Sequence, residues 1–263
     1  KTTKALKKIP AERKVALTGT PINNSVQDIW SIMDWVQPGL LGDYFQFVKE
    51  YCQKNRWGSI YGYKNLEKLR EKIAPFILRR LKSDVLKELP PKSYENLYID
   101  FTKEEKILYE AVREQILQKL KDEGMLNRKN LKSSLVRMTR LKQLTDTQEL
   151  ITGENKSSKL DALRDLLKIV LAGDDKTIIF TVYREVAVIL MRELAEYKPL
   201  LIAGGVSEEE RTVNKKAFNE DSEHRILIMT SAGSRSLNLQ RASSVIHYDL
   251  PWSISSAIQR EDR

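Results

Sequence analysis

Two arginines and a turn of small residues lie in the last stretch, Arg225–Arg263, of the 263-residue chain. The turn, Thr230–Ser234, separates two apolar runs, Ile226–Met229 and Val245–Tyr248. The arginines, Arg260 and Arg263, end a short helical pattern that follows the second run. Short apolar runs with helices between them are typical of neighbouring strands of a parallel sheet. Because ligands of such sheets sit at the carboxyl ends of the strands, the turn and the arginines fall where a phosphate-bearing ligand would be met.

The composition excludes several classes of protein. With 41% apolar and 31% charged residues, the chain is globular rather than disordered. No apolar run approaches the roughly 20 residues that span a membrane, so we expect no membrane partner. The lone Cys52 fits a reducing, intracellular compartment: cytoplasm or nucleoid in a prokaryote or phage, nucleus in a eukaryote. Cys52, His224 and His247 are too few and too scattered for a metal site.

The net charge of +9 has two interpretations. It is either a solvated basic surface or the footprint of a polyanion, since lysine and arginine release counterions from nucleic-acid phosphates. The helical pattern at 128–144 carries six basic residues and has the same two interpretations.

The first half of the chain predicts one strand and several helices. Lys14–Thr18 predicts a strand that ends in a tight turn. Helical spacing is predicted at 26–36, Asp43–Tyr51 and Asn65–Ala74, with Asn55–Tyr63 as a loop. The break Leu89-Pro90-Pro91-Lys92 is the best candidate for a domain boundary.

The second half predicts a parallel α/β layer. Glu95–Phe101 alternates like a strand, and Thr102-x-x-Glu105 is a capping box that opens a long helix to about Lys121. From Lys159 onwards strands alternate with helices, which is typical of parallel sheets with right-handed crossovers. The strands are predicted at Thr177–Thr181, Leu200–Ala203, Arg225–Met229 and Val245–Tyr248.

Several motifs, in order, resemble the Swi/Snf-like ATPases, DNA translocases of helicase superfamily two. Leu17–Asn24 with Ile29-Trp30-Ser31 resembles their motif III, and Phe76–Lys92 resembles their inter-lobe segment. Lys176–Phe180 resembles motif IV, and Gly204-Gly205, Glu210-Arg211 and Phe218-Asn219 match the block after it. Ala232-Gly233 with Leu237–Leu239 resembles motif V, and Gln259-x-x-x-Arg263 resembles the start of motif VI. Each motif alone is common, but their order and spacing cover essentially the whole chain.

The resemblance implies an α/β fold: a RecA-like parallel-sheet lobe with helical insertions, plus the incomplete end of a first RecA-like lobe. It assigns 1–82 to the end of the first lobe with a helical insertion, 83–92 to a linker, and 93–263 to the second (helicase C-terminal) lobe, with a helical insertion at about 102–155. It also implies ATP and Mg²⁺ between the lobes of the complete motor, and double-stranded DNA across both.

The resemblance also implies roles for individual residues. Arg263 is the catalytic arginine finger, which stabilises charge on the transferring phosphate from across the cleft; otherwise it is an arginine closing a helix C-terminus. The predicted ATP-binding residues are Gly233, Asn238, Gln259 and Arg263, and Thr18, Gly19 and Thr20 couple motif III to hydrolysis. The predicted DNA-binding residues are Arg79, Lys82, Thr181, Arg211, Thr230 and Ser231. For the hydroxyl residues at strand ends, a plain cap of the strand is the alternative.

Three departures from the family pattern matter. No G-x-x-x-x-G-K-[ST] and no D-E-x-H box occurs, so we expect a fragment that depends on an upstream P-loop lobe and is inactive alone, with no ligand bound to it. Ser234 and Ser236 stand where motif V usually has glycine, which restricts close backbone approach. Arg260 replaces the alanine that is usual in chromatin remodellers.

Two other functions stay open. The chain could be a non-catalytic scaffold that binds DNA or a protein, for which the motif V serines are the best support. Alternatively, the motor could act on RNA polymerase or another nucleoprotein complex.

Overall fold

The computed structural model describes residues 2–7, 9–22, 25–80, 92–122, 131–230, 239 and 241–261. The chain divides into two compact units, residues 1–95 and 96–263. None of the described helices is both long enough and apolar enough to cross a membrane.

The first unit is a small helical cluster with one β-hairpin. Its elements are α1 (Thr2–Lys7), α2 (Gln27–Val36), α3 (Tyr44–Tyr51), β1 (Cys52–Lys54), β2 (Ile60–Tyr63), α4 (Leu66–Ile73) and a short 3-10 turn (Ala74–Phe76). The apolar faces of α2, α3 and α4 form its core, which includes Ile29, Met33, Phe47, Tyr51 and Leu69. Asp43 caps α3 by accepting the backbone N–H of Gln46 at 2.9 Å. The free thiol of Cys52 is buried in the same core.

Two predictions for the first unit are wrong. Residues 14–18 form no strand, and the side chain of Leu17 is 94% exposed. A strand needs a neighbour for its backbone hydrogen bonds, and the described part of this unit contains only the β1–β2 pair. The predicted loop Asn55–Tyr63 instead contributes β2, which pairs antiparallel with β1. The predicted helices at 26–36, 43–51 and 65–74 are confirmed within two residues at each end.

The second unit begins with helices and continues as a parallel α/β layer. Its elements are α5 (Lys103–Asp122), α6 (Leu131–Asp146), α7 (Glu149–Thr152), α8 (Ser158–Val170), β3 (Lys176–Thr181), α9 (Arg184–Glu193), a 3-10 turn (Ala195–Tyr197), β4 (Leu200–Ile202), α10 (Glu208–Glu220), β5 (Ile226–Thr230), β6 (Ala242–His247) and α11 (Ile254–Glu261). All described strand pairs of the sheet are parallel, in the order β4-β5-β3-β6. The predicted parallel α/β layer is confirmed.

Strands β3 and β5 are apolar on both faces because helices cover the sheet on both sides. Ile179 and Ile228 pack against α8 and α9. Their neighbours Ile178, Phe180 and Leu227 point the other way, towards Phe218 of α10. This alternation follows from the period of two along a strand.

The predicted strand Glu95–Phe101 is wrong. Residues 95–101 have no strand structure and their side chains are exposed. The alternation of ENLYIDF meets the local requirement for a strand, but no described strand lies beside it to accept its hydrogen bonds. The capping box that follows is confirmed: Thr102 N–H donates to Glu105 Oε2 at 2.7 Å, and Glu105 N–H donates to Thr102 Oγ1 at 3.2 Å.

Candidate functional site

The carboxyl edge of the sheet is organised by one buried carboxylate, Asp249, two residues after the end of β6. Its Oδ2 accepts the hydroxyl of Thr181 at 2.5 Å. Both of its oxygens accept the backbone N–H of Val182, at 2.8 and 2.9 Å. Asp249 therefore ties the end of β3 to the segment that leaves β6.

Arg260, on α11, fixes that helix to the same edge. The side chain is 2% exposed, and its Nη1 donates to the carbonyl oxygen of Asp249 at 3.1 Å. The guanidinium carbon lies 5.2 Å from the centre of the Phe180 ring. Burial lowers the pKa of Arg260, and the negative charge of Asp249 opposes that shift. The sequence predicted Arg260 at a phosphate-facing edge, but the described contacts of this residue hold α11 in place within the protein.

A second buried carboxylate, Asp146 at the end of α6, joins the helical part of the unit to this edge. Its Oδ1 accepts Lys159 Nζ at 2.6 Å. Its backbone oxygen accepts the hydroxyls of Tyr248 at 2.7 Å and Ser157 at 2.9 Å. Burial raises the pKa of Asp146 to about 6 against the opposing charge of Lys159, and the nearby Asp249 adds to the rise.

Lys142, one turn before Asp146 on α6, extends the same connection. Its ammonium donates to the backbone oxygen of Leu250 and lies 5.0 Å from the centre of the Trp252 ring. The basic pattern along this helix therefore includes a lysine that makes internal contacts. Lys142 and Asp146, in the carboxyl-terminal part of α6, therefore both contact the segment that follows β6, Tyr248 to Trp252.

The two predicted hydroxyl residues at strand ends lie side by side. Thr181 of β3 pairs in register with Thr230 of β5. Both are buried, and Thr230 Oγ1 accepts the backbone N–H of Gly204 at 3.3 Å. With Thr181 bound to Asp249, the described contacts of both side chains are those of strand-end caps, the alternative that the sequence left open.

Arg211 lies on α10 near the end of β4. Its Nη2 donates to the carbonyl oxygen of Ala203 at 3.1 Å, so the side chain folds back over the strand end, half-buried. Thr181, Thr230 and Arg211 are thus brought to one edge of the sheet, whereas Gln259 is exposed on α11 beyond β6.

The other predicted residues fall in two groups. Thr18, Gly19 and Thr20 lie in an irregular segment of the first unit, where Thr20 N–H donates to Thr18 Oγ1 at 3.1 Å, and Arg79 is exposed in the same unit. The remaining predictions lie outside the described residues: Lys82, Ser231, Gly233, Asn238 and Arg263.

Sequence reasoning missed Asp249 and Asp146. The signal for Asp249 is an acidic residue directly after the apolar run Val245–Tyr248 and ahead of Leu-Pro, where a charged group needs partners. Asp146 gives no such local signal, because its partners Lys159 and Tyr248 come from distant parts of the chain.

The chain is similar to two protein families and to several curated proteins. A family model of the SNF2-related domain matches residues 1–150, and one of the helicase conserved C-terminal domain matches residues 158–263. An uncharacterized ATP-dependent helicase of Mycoplasma genitalium is 32% identical over 99% of the chain and 25% of its own length. The putative ATP-dependent helicase/translocase YwqA of Bacillus subtilis is 31% identical over 100% of the chain and 29% of its own length. The chain thus spans about a quarter of the length of these curated relatives.

A solved structure shows the same fold. The Sulfolobus solfataricus SWI2/SNF2 ATPase core in complex with dsDNA has a TM-score of 0.56 and 31% identity to this chain, over 94% of this chain and 54% of its own. The four-stranded parallel sheet with its covering helices is the RecA-like α/β arrangement.

Proposed function

This chain belongs to the Swi/Snf-like (SNF2-related) ATPase family, and from that membership we propose that it forms part of an ATP-dependent motor that translocates on double-stranded DNA. Residues 93–263 supply the second RecA-like lobe, 1–82 the end of the first, and 83–92 the linker. The division of the chain near residue 95 supports this arrangement. The observation that carries the proposal is the carboxyl edge of the sheet, where Asp249 and Arg260 hold β3, β6 and α11 together.

Arg263 acts as the arginine finger of this motor. The described part of α11 ends two residues before it, and Arg260 anchors that helix to the sheet. The charge of a guanidinium placed at the phosphate would stabilise the negative charge that develops on the phosphate oxygens.

The family implies ATP with Mg²⁺, but the metal ligands and the phosphate-binding loop that these need are not found in this chain's described residues or sequence motifs. Among the described residues no three acidic, histidine or cysteine side chains are grouped to hold a metal ion. The sequence also has no G-x-x-x-x-G-K-[ST] to cradle a triphosphate. We therefore assign the metal ligands and the phosphate cradle to a P-loop lobe, and infer that this chain does not hydrolyse ATP by itself.

Sequence-independent contacts to the DNA backbone are proposed for Arg79, Lys82 and Ser231, and the net charge of +9 favours them. The motif V residues Gly233 and Asn238, together with Gln259, are proposed to face the nucleotide.

The test is ATP hydrolysis by the full-length protein with and without duplex DNA, at two salt concentrations. We expect stimulation by duplex that weakens at the higher salt concentration. Arg263→Ala should abolish turnover and leave ATP binding largely intact, whereas Arg113→Ala, on the exposed surface of α5, should change neither. Full activity of Arg263→Ala excludes the finger role, and no hydrolysis under any condition favours the scaffold function.

A further inference from the structure

The hairpin of the first unit carries an exposed set of aromatic and basic side chains that the motor function does not use. We call residues 52–64, together with Phe45 beside them on α3, the aromatic hairpin. Trp57 is 71% exposed, Tyr61 70% and Phe45 72%. Large aromatic side chains are normally buried, so three exposed ones on one small element need a reason.

Hydrogen bonds order the backbone of the hairpin turn that carries Trp57. The Asn55 Oδ1 accepts the backbone N–H of Trp57 at 3.1 Å and that of Ser59 at 2.9 Å. The backbone N–H of Gly58 donates to the Asn55 carbonyl at 2.9 Å, with φ of +79° that favours glycine. A ring presented by an ordered turn loses little entropy on binding a partner.

A β-bulge presents Tyr61. In the register of the pair, Gln53 lies opposite Gly62 and Lys54 lies opposite Ile60, so Tyr61 is the extra residue of the strand. Tyr61 is also on the exposed side of the alternation along β2, so its ring is open to solvent.

Basic side chains accompany the rings. Arg56 lies over Trp57, with 4.1 Å from its guanidinium carbon to the ring centre, and Lys54 Nζ lies 5.8 Å from the centre of the Phe45 ring. Lys54, Arg56 and Lys64 are exposed, and residues 52–64 contain no aspartate or glutamate. The hairpin therefore combines solvent-exposed aromatic rings with basic side chains and no acidic ones.

We propose that the aromatic hairpin binds single-stranded nucleic acid, with unpaired bases stacked on Trp57 and Tyr61 and phosphates close to Lys54, Arg56 and Lys64. Exposed rings bordered by cations are how proteins bind single strands without sequence preference. A base on the open face of Trp57 would continue the stack that Arg56 begins on that ring. Duplex DNA hides the faces of its bases and cannot use the rings, and an acidic peptide would use the cations but not the rings.

The test measures binding of a labelled oligothymidine of about 16 nucleotides to the full chain without ATP, by fluorescence anisotropy. A blunt duplex of equal length and a polyglutamate competitor complete the set. We expect Trp57→Ala to weaken single-strand binding about tenfold, since one base–aromatic stack contributes at that level, and Tyr61→Ala to act in the same direction. Trp57→Phe, which keeps a ring, should restore most of the affinity.

Tyr98→Ala is the matched control, because Tyr98 is an exposed aromatic outside the hairpin, and it should not change binding. Unchanged far-UV circular dichroism establishes that each variant is folded.

No binding of oligothymidine by the native chain, or equal affinity of Trp57→Ala and the native chain, overturns the proposal. If Trp57→Ala weakens duplex binding as much as single-strand binding, the surface binds a nucleic-acid backbone. If polyglutamate at matched charge displaces the oligonucleotide, the surface binds an acidic protein. Either result also overturns the proposal. Duplex-stimulated ATP hydrolysis by the full-length protein should persist in Trp57→Ala, which separates this proposal from the motor function.

Discussion

At the scale of single residues, the carboxylate of Asp249 is the best-connected polar group of the sheet edge. It accepts from Thr181 and from the backbone of Val182, while its own carbonyl accepts from Arg260. Removing the carboxylate leaves two donors, the Thr181 hydroxyl and the Val182 N–H, without this acceptor, which costs more than the hydrogen bonds themselves contribute.

We expect Asp249→Ala to lower the free energy of unfolding of the second unit by about 2–4 kcal/mol. Asp249→Asn keeps an oxygen acceptor and should lose less. Urea unfolding followed by circular dichroism measures both changes. Asp165→Ala, which removes only a surface pair with Lys168, is the control and should stay within about 0.5 kcal/mol of the native chain. Equal effects of Asp249→Ala and Asp165→Ala would contradict the role of Asp249.

Asp146 gives a prediction for pH dependence. Its pKa is raised to about 6 from a usual value of 3.8, so the folded state binds a proton more tightly than the unfolded state. Between these two values the contribution of Asp146 to stability falls as pH rises, by up to roughly 3 kcal/mol. The native chain should therefore lose stability relative to Asp146→Asn as pH rises through this window, in unfolding curves measured at closely spaced pH values. A constant difference between the two proteins across the window would refute the raised pKa.

At the scale of elements, Glu105 joins the starts of two helices. Its Oε2 caps α5 through Thr102, and its Oε1 accepts the backbone N–H of Ser158 at the start of α8, at 2.8 Å. Burial opposes ionisation, but the N–H groups of Ser158 and Thr102 outweigh it and hold the pKa of Glu105 below its ordinary value. One side chain thus satisfies a donor at each of two helix N-termini.

We expect Glu105→Ala to cost about 1–3 kcal/mol of unfolding free energy at neutral pH. Because the folded pKa is lowered, the contribution of Glu105 is present above its ordinary pKa and is lost as pH falls through the folded value. The neighbouring Glu104→Ala is the matched control, since the described contact of Glu104 is an exposed pair with Lys156. Thermal unfolding at neutral and acidic pH measures both variants, and indistinguishable midpoints would count against the double cap.

The same scale explains what the sequence could and could not predict. The capping box at Thr102 and the helix limits depend on residues within one turn, so local pattern suffices. The strands predicted at 14–18 and 95–101 failed because a strand depends on a neighbour that the local sequence does not contain. For the site, the strand-end position of Thr181 was predicted, but its partner Asp249 lies far along the chain and comes into contact only when β3 and β6 pair.

At the scale of the whole molecule, the proposed DNA binding should be salt-sensitive and independent of sequence, since basic residues would contact phosphates and release counterions. If Arg79 contacts a phosphate, Arg79→Ala should weaken binding to different duplexes by the same factor. It should also reduce the slope of log affinity against log salt by about one. Titrations of two unrelated duplexes at several salt concentrations measure this, with Arg113→Ala as the control. An unchanged slope would remove Arg79 from the interface.

The buried Cys52 has a practical consequence for experiments on this protein. It is the single cysteine of the sequence, it lies in the core of the first unit, and burial raises the pKa of its thiol. A thiol reagent attacks the thiolate and needs access, so modification must wait until that core opens. The rate at which Cys52 is labelled therefore measures how often the core of the first unit opens. Comparing this labelling rate with the thermal unfolding of the entire chain, followed by spectroscopy, shows whether ATP, DNA or a partner lobe stabilises the first unit without stabilising the second.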